Sequence, residues 1–156
     1  MNDNDVFLNE EEIKKKTNHT ERKEGEPTLA FKAASYSALL VGIATYLLGL
    51  YNSKTMELNE KGYYFAILLF GLYSAVSLQK AVRDREEGIS VTKTYYGISW
   101  FALLVSISLM AIGLLNAGSI ILSEKGFYGI SFTLSLFASI TVQKNIRDTQ
   151  SAREKE

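Results

Sequence analysis

Cysteine is absent from the chain, which removes disulfides, thiolate metal ligands and a cysteine nucleophile together. Histidine is almost absent: the single His19 lies in a polar N-terminal stretch, so haem ligation and the usual zinc patterns have almost nothing to use. GxSxG, Walker-loop and HExxH patterns are missing as well. No catalytic residue, cofactor, metal ion or nucleic-acid partner is therefore expected, and an enzyme is the weakest reading. Charge is missing only in places. Seventeen Lys and Arg balance seventeen Asp and Glu, yet residues 33–53, 62–79, 94–123 and 126–143 hold none of them.

These four runs are apolar around the whole helical circumference, relieved only by Gly, Ser, Thr and Tyr, whereas a soluble helix needs a polar face. Crossing a hydrocarbon core of about 30 Å takes about 20 helical residues. The first and third runs meet that length, and the second and fourth need their flanking turns. One charge at mid-span costs roughly 2.5 to 3.5 kcal/mol, so four clean runs point to lipid. An all-α integral membrane protein is expected, with spans near 33–52, 62–80, 95–116 and 126–144. Residues 1–29 read as a charged, solvated tail, in which Glu10, Glu11 and Glu12 precede Lys14, Lys15 and Lys16 by four residues and favour a transient surface helix. Signal-peptide features are lacking there, so the first span is expected to act as an uncleaved anchor.

Sliding the sequence on itself by 64 residues matches Phe31–Asp84 to Tyr95–Asp148, with about 19 of 54 positions identical. Gly49 falls on Gly113, Asn52 on Asn116, Glu60-Lys61-Gly62 on Glu124-Lys125-Gly126, and Gln79-Lys80 on Gln143-Lys144. Two units, 30–88 and 94–150, each carry two spans. They therefore enter the membrane in the same orientation, as a parallel repeat. Lys80, Arg83, Arg85 and Lys93 crowd the connection between units, Lys144, Arg147, Arg153 and Lys155 the C-terminus, and Arg22, Lys23 and Lys32 the N-terminal flank. The hairpin loops carry only Lys54 and Lys61, or Lys125. Both termini are expected in the cytoplasm.

Asn59 and Ser123 read as N-caps, with Glu60 and Glu124 opposing the positive helix pole and Gly62 and Gly126 permitting close backbone approach. Asn52 and Asn116 read as C-terminal caps. At the other end QKAVRD and QKNIRD put Lys80, Arg83, Lys144 and Arg147 near the negative pole and the lipid surface. A pseudo-two-fold axis would bring Arg83 to Asp148 and Arg147 to Asp84. Within the spans, Ala38/Gly42 recurs as Ala102/Ser106, and Gly71/Ala75 as Ser135/Ser139. Such small-residue pairs let helices approach closely. No ionisable side chain lies at mid-span, which leaves a proton relay without its essential group.

YLLGLYN with LNEKGYYF and QKAVRDREEG, followed by GLLNA, LSEKGFYG and QKNIRD, resembles the YiaA/YiaB family of bacterial inner-membrane proteins, which share a two-helix domain. The resemblance runs from about Leu29 to Asp148 and favours the two-copy form. It implies an inner-membrane location and supplies no activity; the long charged N-terminal extension departs from it. The leading expectation is a non-catalytic membrane protein that assembles with itself or with other membrane proteins. A passive pore for a small solute, with Glu60, Lys61, Glu124 and Lys125 at its outer mouth, is the alternative. Recognition of anionic lipid headgroups by Lys80, Arg83, Lys144 and Arg147 is a third.

Overall fold

A computed structural model of the chain describes residues 26–154. The anticipated ion pairs of Glu10–Glu12 with Lys14–Lys16 lie outside the described residues. Among those described are four α-helices: α1 (Leu29–Asn52), α2 (Leu58–Glu86), α3 (Lys93–Asn116) and α4 (Leu122–Glu154). Each is long and apolar enough to cross a membrane. The protein is an all-α integral membrane protein with four transmembrane helices.

The helices overrun the charge-free spans because their ends are capped beyond them. Thr28 Oγ1 accepts from the Phe31 N–H at 2.9 Å, and its repeat counterpart Thr92 accepts from Tyr95 at 3.2 Å. Asn59 and Ser123 prove to lie inside the first turns of α2 and α4, not at their caps. The acidic side chains move the start outward: Glu60 Oε2 accepts from the Glu57 N–H at 2.9 Å, and Glu124 Oε2 from Ile121 at 3.1 Å. Asn52 and Asn116 are the last helical residues, not left-handed caps. The following N–H groups, of Ser53 and Ala117, close onto Gly49 and Gly113 carbonyls at 3.0 and 2.9 Å.

The far ends of α2 and α4 differ. Gly88, at φ 76°, turns the chain out of α2, and the Ile89 N–H closes onto the Asp84 carbonyl at 2.8 Å. Ala152 stands 64 residues on, and without that glycine α4 continues to Glu154.

Helices of one unit scarcely touch each other. Instead α1 lies along α4, α3 lies along α2, and α2 meets α4 between them. Glycine makes the first of these contacts close. A Cβ at Gly42 would fall 2.7 Å from Ser135 Oγ, and one at Gly49 2.8 Å from the Phe127 ring; at Gly113 it would meet Tyr63 at 2.7 Å. Gly71, Ala75, Ser106, Ser135 and Ser139 are buried, and Ala38 and Ala102 half-buried.

Candidate functional site

Aromatic side chains fill the axis of the bundle toward the hairpin end. Tyr64 and Tyr128, equivalent residues of the two units, stack with ring centroids 6.1 Å apart and planes 13° from parallel. Tyr46 is fully buried, meets Tyr128 edge-on at 5.6 Å, and donates its hydroxyl to the Tyr64 carbonyl at 2.9 Å. That hydroxyl also lies 3.7 Å from the sulfur of its own counterpart, Met110. The pseudo-two-fold axis therefore passes through packed rings. Buried serines do not open a path beside them: Ser74, Ser106, Ser135 and Ser139 donate to carbonyls of their own helices at 2.6 to 2.8 Å.

The Glu-Lys-Gly motifs close the hairpin end. Besides the capping glutamates, Lys61 Nζ reaches the Tyr51 carbonyl at 3.4 Å and Lys125 Nζ the Leu115 carbonyl at 3.5 Å. Each lysine so tethers its helix to the negative pole of the preceding one. Ser119 adds a link between units by donating to Glu60 Oε1 at 3.1 Å. Gly62 and Gly126 do not serve close approach: a Cβ at either would meet nothing within 4 Å, because both are exposed just past the first turn.

At the opposite end the two Gln-Lys-x-x-Arg-Asp motifs meet across the axis. Arg83 Nη1 lies 2.5 Å from Asp148 Oδ1, and Arg147 Nη2 lies 2.9 Å from Asp84 Oδ1. Glu87, outside the matched repeat, bridges both arginines, at 2.7 Å from Arg83 and 2.6 Å from Arg147. Lys80 takes the second oxygen of Asp84 at 2.6 Å. Hydrogen bonds from Lys80 and then Arg147 hold the Asp84 carboxyl below the usual carboxylate range. Arg83 and Arg147 do the same for Glu87. Both guanidiniums are thus turned toward protein carboxylates, and Lys144 is exposed with no ion pair among the described residues.

Two copies of one charged helix end, locked against each other at the axis, match the two-helix repeat read from the sequence. A family model described as the yiaA/B two helix domain fits residues 31–84 and again 95–148. The chain belongs to this family. Within it, the chain is 56% identical over 119 residues to Inner membrane protein YiaA of Escherichia coli (strain K12), covering 76% of this chain and 81% of that one. It is 40% identical over 60 residues to Uncharacterized membrane protein YubF of Bacillus subtilis (strain 168), covering 38% of this chain and 69% of that relative. No solved structure gives a significant match.

Residues that sequence reasoning passed over complete this yiaA/B pair of units. Glu87 escaped because its repeat position holds Ser151. Tyr46 escaped because its position holds Met110. Asn145, inside QKNIRD, is 2% exposed and donates Nδ2 to Ser35 Oγ at 3.0 Å. Its only signal was the mismatch with Ala81 in a matched motif.

Proposed function

We propose that the chain is a non-catalytic protein of the bacterial inner membrane that acts by helix–helix assembly, with both termini in the cytoplasm. The name of the E. coli relative supports the location. Orientation rests on Lys80, Arg83, Arg85, Lys144, Arg147 and Arg153, gathered where α2 and α4 finish, against Lys54, Lys61 and Lys125 at the hairpin end.

The assembly reading rests on Gly129 and Thr133 of α4, a small-residue pair that the bundle leaves half-buried and exposed. Gly42, Gly71, Ser106 and Ser135 are consumed inside the chain, whereas a Cβ at Gly129 would meet only Leu114, at 3.6 Å. Gly129, Ile130, Thr133, Leu134 and Phe137 border a shallow groove of about 430 Å³ on α4. Thr133 donates its hydroxyl to the Gly129 carbonyl at 2.9 Å, so the groove offers an apolar floor. In the first unit the same positions carry Phe65 and Leu69, both exposed. A glycine and a threonine four apart suit close approach of a second helix within lipid, and the second copy of this chain supplies one. A pore through one chain finds no support, because Tyr46, Tyr64, Tyr128 and Met110 fill the axis.

Transplanting the first unit's residues tests the groove. Native mass spectrometry in detergent is expected to find the wild type as a dimer or larger, and Gly129→Phe with Thr133→Leu as a monomer of unchanged melting temperature. A monomeric wild type, or a variant that assembles as well as the wild type, overturns it.

A further inference from the structure

The duplication supplies an internal control, since each feature of one unit has a counterpart in the other. At the hairpin end the counterparts have diverged. Where α4 meets α1, a Cβ at Gly49 would fall 2.8 Å from the Phe127 ring and 3.3 Å from the Tyr128 hydroxyl, so both rings pack over that glycine. Where α2 meets α3, the three atoms nearest a Cβ at Gly113 all belong to Tyr63. Tyr64, the counterpart of Tyr128, stands farther off. An open recess of about 270 Å³ remains there, bordered by Asn59, Glu60, Tyr63, Tyr64, Gly113 and Asn116.

Hydrogen bonds to the backbone fix what each polar side chain has left to offer. Tyr63 gives its proton to the Leu109 carbonyl at 2.8 Å, so its oxygen can only accept a further bond. Asn116 gives Nδ2 to the Ile112 carbonyl at 2.8 Å and keeps Oδ1, a second acceptor. Asn59 takes the Glu60 N–H on Oδ1 at 2.9 Å and keeps its amide as a donor. A carbonyl only accepts and a backbone N–H only donates, so neither side-chain amide can be turned round. The Glu60 oxygens accept from the Glu57 N–H and the Ser119 hydroxyl, and no cation pairs with this half-buried carboxylate among the described residues. Lys61 and Lys125 are turned to the Tyr51 and Leu115 carbonyls, and neither borders the recess.

Tyr64 supplies a buried polar group without a partner. It is 3% exposed, and its hydroxyl makes no hydrogen bond among the described residues. That hydroxyl is not sealed in: Asn145 Oδ1 is the only side-chain N or O among the described residues that is both enclosed and unpartnered, so the Tyr64 oxygen opens on accessible space. Tyr64 follows Glu60 by one turn, and helical side chains lean toward the N-terminus, which directs the hydroxyl back toward the carboxylate and the recess. The Tyr63 and Tyr64 rings stand beside it, edge to face with centroids 5.3 Å apart. Acceptors that outnumber donors, an unpaired carboxylate and two electron-rich rings suit a cation carrying several N–H groups. We propose that this recess binds a primary ammonium group, which pairs with Glu60 and donates to the Tyr64 oxygen. An ethanolamine phospholipid headgroup and a free amine share that chemistry. The site has no residue in common with the α4 groove.

The test uses the full chain in neutral detergent, with thermal unfolding followed as two pairs of ligands are added. Short-chain phosphatidylethanolamine is compared with phosphatidylcholine, and free ethanolamine with choline; each pair keeps its charge and differs in the N–H groups. In at least one pair the primary ammonium is expected to raise the wild-type melting temperature by about 3 °C at saturation, with about fivefold tighter apparent binding than its trimethylated analogue. Glu60→Gln removes that preference. Tyr64→Phe deletes a hydroxyl bonded to nothing in the chain, so it leaves the ligand-free melting temperature unlowered and weakens ammonium binding about threefold. The counterpart changes Glu124→Gln, which costs the same capping charge, and Tyr128→Phe leave binding as in the wild type. A wild type without preference in either pair, a preference that survives Glu60→Gln, or binding unchanged in Tyr64→Phe overturns the proposal. Preference within the phospholipid pair upholds the site and assigns it to a lipid headgroup, whereas preference within the soluble pair alone upholds it and assigns it to free amines.

Discussion

Gly42 shows how one missing methyl group sets the spacing of two helices. A Cβ there would press on Ser135 through Oγ at 2.7 Å and also on its backbone N and Cα at 3.1 and 3.2 Å, so rotating the serine does not relieve the crowding. At the equivalent positions of α3 and α2 the small residues are exchanged, Ser106 for Gly42 and Gly71 for Ser135, and there a Cβ at Gly71 would meet Phe132 and Leu136 of α4 at 2.9 to 3.1 Å. Gly42→Ala is therefore expected to cost about 1 to 3 kcal/mol, read as a lower melting temperature in detergent. Adding Ser135→Gly should return only the share of that loss that comes from the Oγ contact, because the backbone N and Cα stay at 3.1 and 3.2 Å. The requirement was half legible in the sequence, where Ala38/Gly42 announces a contact face. Its partner was not, because lipid-facing and protein-facing sides of a membrane helix are both apolar and leave no polar stripe to orient them.

At the scale of elements, the ends of α2 and α4 act as one charged clasp. Arg83 and Asp148 are each about one-fifth exposed, enough shelter for a pair to couple by about 1 kcal/mol. Arg83→Asp should lower stability, and Asp148→Arg in the same chain should recover about half of the loss, because Glu87 still faces the new carboxylate. Acid should undo the clasp by a different route. Asp84 and Glu87 have carboxyl pKa values below those of an unfolded chain, so their stabilisation is complete above about pH 5 and fades as pH falls through their lowered values. The melting temperature is expected to stay level from pH 8 to 5 and to drop below pH 4, less steeply in Glu87→Gln. The repeated Gln-Lys-x-x-Arg-Asp made a meeting of these residues conceivable from sequence alone. Glu87 stayed hidden because a residue outside the repeat has no counterpart to draw the eye.

For the whole molecule, the four spans and their duplication were legible because insertion into lipid excludes charge and so writes each boundary into the sequence. Helix starts were read two to four residues short, since capping by Thr28, Glu60 and Glu124 extends helices beyond the apolar stretch, and α2 and α4 run six and ten residues past the expected ends while α1 and α3 finish where expected. The orientation is open to a direct measurement: a reporter enzyme that works only outside the cytoplasm, joined after Glu156, is expected to stay silent, and one placed in the 53–57 loop to be active.

The crossed pairing of α1 with α4 bears on how the protein is made. Gly42 leaves the ribosome more than ninety residues before Ser135, its neighbour in the finished bundle. At about 5 to 20 residues per second, the first span waits on the order of 5 to 20 s for its companion. During that interval the Gly42 face is covered by lipid or by the insertion machinery, and an interruption of synthesis after the first unit would release a hairpin whose two helices have little to hold each other.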